Sequence, residues 1–263
     1  RRRQRQMCIR DSLQGMLKNG LASPYLLGIS AGSGLVIVFF ISFGLTQSFI
    51  PFAAWLGAVL TTLIVFILSR DGNKIIVERL VLGGVAVSSL FGAIQATLLL
   101  QVEDGRIQAA LNWLIGSLNA RGWQDIKFVA LPILIALFIG LFLSRQLNLL
   151  SLGDELSVSL GNSLFRSRCL IGAVATLLTA CAVSIGGLIG FIGLVVPHFS
   201  RLIIGNDFRY ILPFSALIGA FTLSSADLIS RLGPVEIPVG IVTALIGAPV
   251  FMFILYKNKV IKK

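Results

Sequence analysis

Two groups of residues in this chain have types and spacing that could do chemistry. The stretch GISAG, Gly28 to Gly32, satisfies the G-x-S-x-G spacing of a serine nucleophile, and His198, the single histidine, is the one imidazole that could serve Ser30 as a base. That nucleophile elbow needs a sharp strand-to-helix turn, whereas Ser30 falls in an apolar stretch long enough to be a membrane helix. Glycine-mediated helix packing accounts for the same spacing, and His198 beside Pro197 reads as a helix-end residue rather than a base or metal ligand. Asp227 and Arg231 are the second group: four residues apart in an apolar span, they share a helix face and can pair. Either they form a local ion pair near a membrane boundary, or Arg231 is a docking charge for an acidic partner. Cys8, Cys169 and Cys181 lack metal-ligand spacing and read as small core residues, so no metal and no cofactor is expected. The chain has no G-x-x-x-x-G-K-S/T phosphate loop, so any work driven by ATP needs hydrolysis on another chain.

The elements that position these residues are dictated by lipid. Of 263 residues, 56% are hydrophobic and 13% charged, against about 25% charged in an ordinary soluble domain. Apolar runs long enough to cross a hydrocarbon core of about 30 Å recur along the chain. They predict an all-α, polytopic bundle with helices near 24–45, 49–69, 79–101, 126–145, 168–185, 188–204, 211–231 and 237–256, eight complete spans, and a remnant at 12–18. A single helix over 168–204 would be roughly 55 Å long and overshoot the bilayer, so the break is placed at Gly186-Gly187.

The net charge of +11 sits in short loops between spans, which points to membrane orientation rather than nucleic-acid binding. Lys18, Arg70, Lys74, Arg79, Arg145, Arg166, Arg168, Arg201, Arg209, Lys257, Lys259, Lys262 and Lys263 fall on one side; Arg106, Arg121, Lys127 and Arg231 fall on the other. Thirteen against four predicts a cytoplasmic C-terminus. On the outside, residues 102–125 carry apolar Ile107, Leu111, Leu114, Ile115 and Leu118 at helical spacing and predict a short amphipathic helix at the membrane surface. On the inside, the loop 146–167 predicts a helix with a stripe of Leu152, Leu156 and Leu160, which needs a partner.

Small residues recur every four positions: Gly28 and Gly32; Gly84, Ser88, Gly92 and Ala96; Gly186 and Gly190. Such stripes let membrane helices approach closely. Gly84, Ser88 and Gly92, with Gln95 on the same helix, either make such a contact or line a translocation path. Pro197 and Pro249 predict kinks. Residues 1–12, RRRQRQMCIRDS, match neither a signal peptide nor the rest of the chain; they are set apart as a foreign segment, a native basic tail being the alternative.

Four ordered motifs, LASPYLLGISAGSG (21–34), LSLGDELSVSLG (150–161), GFIGLVVPHFSRLIIGNDFRYILPFSALIGA (190–220) and ADLISRLGPVEIPVGIVTALIGAPVFMFIL (226–255), closely resemble the FecCD family. These are the BtuC-like permeases of ABC importers for iron-siderophores, haem and cobalamin. The resemblance implies a transmembrane permease domain over 13–263, with about eight of the family's ten helices, so that an N-terminally truncated chain is expected. It further implies a multi-pass subunit of the bacterial plasma membrane that catalyses no covalent chemistry. Its implied partners are ABC ATPase subunits below, a substrate-binding protein above, and a second copy or a related permease across a dimer axis. Gly153, Asp154, Glu155, Leu156, Leu160 and Gly161 resemble the family's coupling helices, which sit in a cleft of the ATPase. Arg231 matches an outer arginine that pairs with a glutamate of the binding protein in cobalamin importers. At the inner gate, where the cobalamin permease has small hydroxyl-bearing residues, this chain has Ile76 and Val77, which implies a bulkier apolar gate or a different gating position. The expected function is passage of ferric siderophores across the membrane, with haem or cobalamin as the alternative cargo. An intramembrane serine protease and an ion-driven secondary transporter stand as more distant readings.

Overall fold

Within lipid, every backbone N–H and C=O must find its partner inside the protein, which favours helices. The computed structural model describes residues 28–45, 49–72, 74–102, 104–119, 122–233 and 236–261. Residues 1–27, with the segment 1–12 and the expected remnant helix, lie outside the described residues, as do Arg121, Lys262 and Lys263. The chain runs α1 (Ile29–Ser42), α2 (Ile50–Ser69), β1 (Arg70–Asp71), β2 (Lys74–Ile75), α3 (Val77–Leu99), α4 (Asp104–Ile115), α5 (Trp123–Phe142), α6 (Ser144–Ser151), α7 (Asp154–Ser159), α8 (Leu164–Gly186), α9 (Ile192–Ile204), α10 (Phe208–Ser230) and α11 (Val239–Ile261). All eight predicted apolar segments are helical, which makes the fold polytopic and all-α. The antiparallel hairpin β1–β2 was not foreseen; it is two residues per strand and turns the chain between α2 and α3.

By length and composition, α2, α3, α8 and α10 can each cross a membrane; α5 passes the same test only when joined to α6, from which it is bent by 50°. Helices α1, with 14 residues, and α9, with 13, are shorter than the sequence predicts. The break at Gly186-Gly187 falls where expected, but α9 resumes at Ile192 rather than at 188. The intervening backbone bonds elsewhere: Leu188 N–H donates to the Trp113 carbonyl at the end of α4, at 3.3 Å. Phe191, the N-cap of α9, takes φ 61°, a conformation a phenylalanine adopts only under outside constraint. The start of α11 docks on the same loop, where Gly240 N–H donates to the Gly116 carbonyl at 3.0 Å. Pro197 and Pro249 lie inside α9 and α11, and a 50° bend separates α5 from α6.

Helix α4 does not present the predicted stripe. Its fully buried residue is Ala110, flanked by half-buried Ile107, Trp113 and Leu114, while Leu111 and Ile115 are exposed. Packing against α1 has selected a face rotated from the one that simple apolar periodicity suggests.

At the centre lies α8, with 78% of its membrane window buried; it packs on α1, α2 and α5. Helices α1 and α2 meet through Gly32 and Gly57, so close that a Cβ at Gly32 would stand 2.7 Å from the Gly57 carbonyl oxygen. Two polar side chains seal the contact zone: Ser33 Oγ donates to the Ala54 carbonyl at 2.9 Å, and Thr61 Oγ1 donates to that of Gly57 at 2.7 Å. A side chain at either glycine must therefore push the helices apart. Gly32→Val and Gly57→Val are each expected to cost about 1–3 kcal/mol, the scale of overpacking. Because they obstruct one contact, the double variant should lose less than the sum when thermal unfolding is followed in detergent.

Candidate functional site

The candidates gather at two ends of the bundle and along one helix. At the end rich in Lys and Arg, the expected single helix of the 146–167 loop is two, α6 and α7, split at Leu152-Gly153. Gly153 has φ 116° and ψ 159°, an angle that excludes other side chains and lets the chain turn sharply between the helices. Leu152, Leu156, Val158 and Leu160 are all more than half exposed, so the apolar stripe faces outward as predicted. Glu155 and Gly161 are exposed with them, while Asp154 turns inward to Arg168 of α8 at 2.9 Å. On its other side, α6 is fixed by Asn148, whose Nδ2 donates to the Asp207 carboxylate at 2.8 Å while its Oδ1 accepts from Phe208 N–H at 3.0 Å. The Arg209 backbone N–H and the Asn148 amide hold the Asp207 carboxyl below its usual range. Sequence reasoning missed Asn148, Asn162, Asp207 and the inward role of Arg168. No periodicity marks them, because each works through a partner many residues away or on another element.

On α3, only 17% of the membrane window is buried, the least among the four long spans. Its small-residue stripe divides. Gly84 is buried, and Ser88 Oγ donates to the Gly84 carbonyl at 2.7 Å; this turn packs on Gly28 at the start of α1. Gln95 Nε2 donates to the Ala31 carbonyl of α1 at 2.8 Å, so it serves helix packing within the chain. Gly92 and Ala96 are exposed, and a Cβ at Gly92 would meet nothing within 4 Å. Ile76 is the N-cap of α3, anchored by its N–H to the Ser69 carbonyl at 3.1 Å, and Val77 opens the helix.

At the opposite end, Arg231 caps α10 and pairs with Asp227 at 3.2 Å. Asp227 is buried and Arg231 is nearly half exposed, so the ion pair leaves much of the guanidinium facing outward. Ser30 and His198 belong to separate layers: buried Ser30 is the second residue of α1, which packs on α2, α3, α4 and α8, whereas His198 lies in α9, which packs on α10 and α11. The turn that an exposed nucleophile requires is absent at Ser30, which is helical and buried.

A bundle of apolar helices, a weakly buried helix carrying small residues, and an outward apolar stripe on a short helix at the basic end define a polytopic helical membrane protein. Residues 12–257 match the family model described as the FecCD transport family, and this chain belongs to that family. Its members are permease subunits of ABC importers, transport components rather than enzymes, and membership implies ATPase and binding-protein partners and a multi-pass membrane location. The chain is 40% identical over 247 residues to the Fe(3+)-citrate import system permease protein YfmE of Bacillus subtilis, covering 92% of this chain and 74% of that protein. It is 38% identical over 250 residues to the cobalamin import system permease protein BtuC of Halobacterium salinarum, covering 94% and 67%. A solved structure described as a metal-chelate type ABC transporter in an inward-facing conformation superimposes with a TM-score of 0.87 at 33% identity, over 95% of this chain and 84% of that one.

The depressed Asp207 gives a pH test. An ionised Asp207 stabilises the α6–α10 junction above the usual carboxylate pKa of about 3.9, and this is lost as pH falls through its lowered folded value. Asp207→Asn, which carries no charge at any pH, should be less stable than wild type at pH 7, and the gap should close on acidification below about 3.9. Thermal unfolding in detergent at stepped pH measures it.

Proposed function

We propose that this chain is the membrane-spanning subunit of an importer for ferric siderophores. The observation that carries the cargo class is the 40% identity to a ferric-citrate permease over nearly all of the chain. Cobalamin is the second reading, favoured by the 38% identity to a cobalamin permease. In this reading the C-terminus lies in the cytoplasm, which the charge bias supports.

Gly153, Asp154, Glu155, Leu156, Leu160 and Gly161 then form the ATPase-coupling element, supported by the outward leucines on α7. The path runs along the open face of α3 with Gly92 on it, between two copies of this chain or this chain and a related permease. Gly84, Ser88 and Gln95 hold that helix to α1 from behind. Ile76 and Val77 gate the cytoplasmic mouth, and Arg231 docks an acidic residue of the binding protein. Closure of the ATPases on ATP moves α7 and rocks the helices around the path, in the manner of alternating access.

Uptake of radiolabelled ferric siderophore, cobalamin and haem, measured in a strain deleted for this gene and complemented with it, tests the reading. ATP-dependent uptake of ferric siderophore alone is expected; uptake of cobalamin or haem instead would reassign the cargo. Leu156→Glu should reduce recovery of the ATPase with the permease severalfold. Arg231→Glu should reduce uptake while leaving ATPase recovery intact. Ser30→Ala should leave uptake unchanged, and loss of a proteolytic activity in its place would revive the hydrolase reading.

A further inference from the structure

Helix α7 reverses the usual polarity of a protein helix. Its apolar residues Leu156 and Val158, with Leu160 at its C-cap, are exposed, and its buried residue is polar Ser157. Six residues are far too few to hold a helix by themselves, so its place is set by contacts with its neighbours. At its start, both Asp154 carboxylate oxygens accept from Arg168 Nη2, at 2.9 and 3.1 Å. The Arg168 side chain is 8% exposed and sits in the second turn of α8. At its other end, Asn162 makes a second tie. Its N–H donates to the Ser157 carbonyl at 3.0 Å, its Nδ2 donates to Ser157 Oγ at 2.8 Å, and Ser167 Oγ donates to its Oδ1 at 2.6 Å. Ser157 and Ser167 are buried. Both ends of α7 are therefore bound to the first turns of α8, one by a charge-assisted two-point contact and the other by a relay of neutral hydrogen bonds. Helix α7 also packs on α6, but the chain between them passes through Gly153, whose backbone angles make the turn there sharp.

We propose that Arg168, Asp154 and Asn162 form a clasp that makes α7 and the start of α8 one rigid body, with Gly153 as the hinge beside it. The clasp rests on the reading of α7 as the ATPase-coupling element. A push on the outward leucines is then delivered to α8, and through its packing to α1 and α2, which hold α3. Without the clasp, the push would be absorbed by α7 shifting on the surface. Arg168 and Asn162 are positioning residues, acting through α7 and α8.

The test uses the importer assembled with its ATPase and binding protein in proteoliposomes. Spin labels at the exposed Ser159 and Leu170 report the α7–α8 distance without touching the clasp. The dipolar coupling between them should be the same in the nucleotide-free and ATP-trapped states, and a change between those states overturns the proposal. Uptake per ATP hydrolysed is the second readout, since a purely structural loss lowers both quantities together. Asp154→Asn, which keeps an acceptor beside the buried guanidinium, and Asn162→Ala should each lower that ratio about tenfold, within the usual range of coupling between sites. A ratio equal to wild type in both variants overturns the clasp. If the wild-type complex hydrolyses ATP but carries no ligand, the importer reading fails and the clasp falls with it, an outcome distinct from coupled uptake in wild type with unchanged variants.

Discussion

Close packing on α8 is the constraint on which the bundle depends. Lipid tails are as apolar as leucine, so membrane helices gain little by hiding apolar surface from one another and must associate through fit and hydrogen bonds. Helix α8 supplies that fit: Ile171, Ala175, Leu178 and Cys181 are buried against α1, α2 and α5 in a continuous cluster. Its threonines stay satisfied within the apolar core, Thr176 and Thr179 donating to the carbonyls of Gly172 and Ala175, each at 2.8 Å. From Val174 to Gly186 almost every residue of this helix is buried, which suits a strut.

By comparison with this strut, α3 is little enclosed. Its contacts with α1 run through Gly84 and Gln95, and a surface with Leu82, Leu90 and Ile94 faces outward. On its other edge the same helix packs on α2, where Leu80 is fully buried.

The far end shows how irregular backbone is accommodated. The segment between α8 and α9 leaves the helix, yet its Leu188 N–H is taken by the Trp113 carbonyl, and the Gly116 carbonyl beside it accepts from Gly240 at the start of α11. The end of α4 thus ties together two later parts of the chain, and the hydrogen bonds lost by interrupting a helix are recovered by contact with another loop.

The sequence by itself determined whatever depends on neighbours along the chain. Apolar runs located eight helical segments, the i, i+4 spacing paired Asp227 with Arg231, and the loop leucines announced an outward apolar stripe. Four ordered motifs gave the family. These features are legible because helix periodicity and bilayer thickness act on contiguous residues. Tertiary structure decided the rest: that Gln95 bonds Ala31, that α4 buries Ala110 instead of Leu111, that α9 begins only at Ile192, and that Arg168 grips Asp154. Each of these depends on a backbone or side chain brought from elsewhere in the chain, and only the packed bundle sets which distant partner stands opposite.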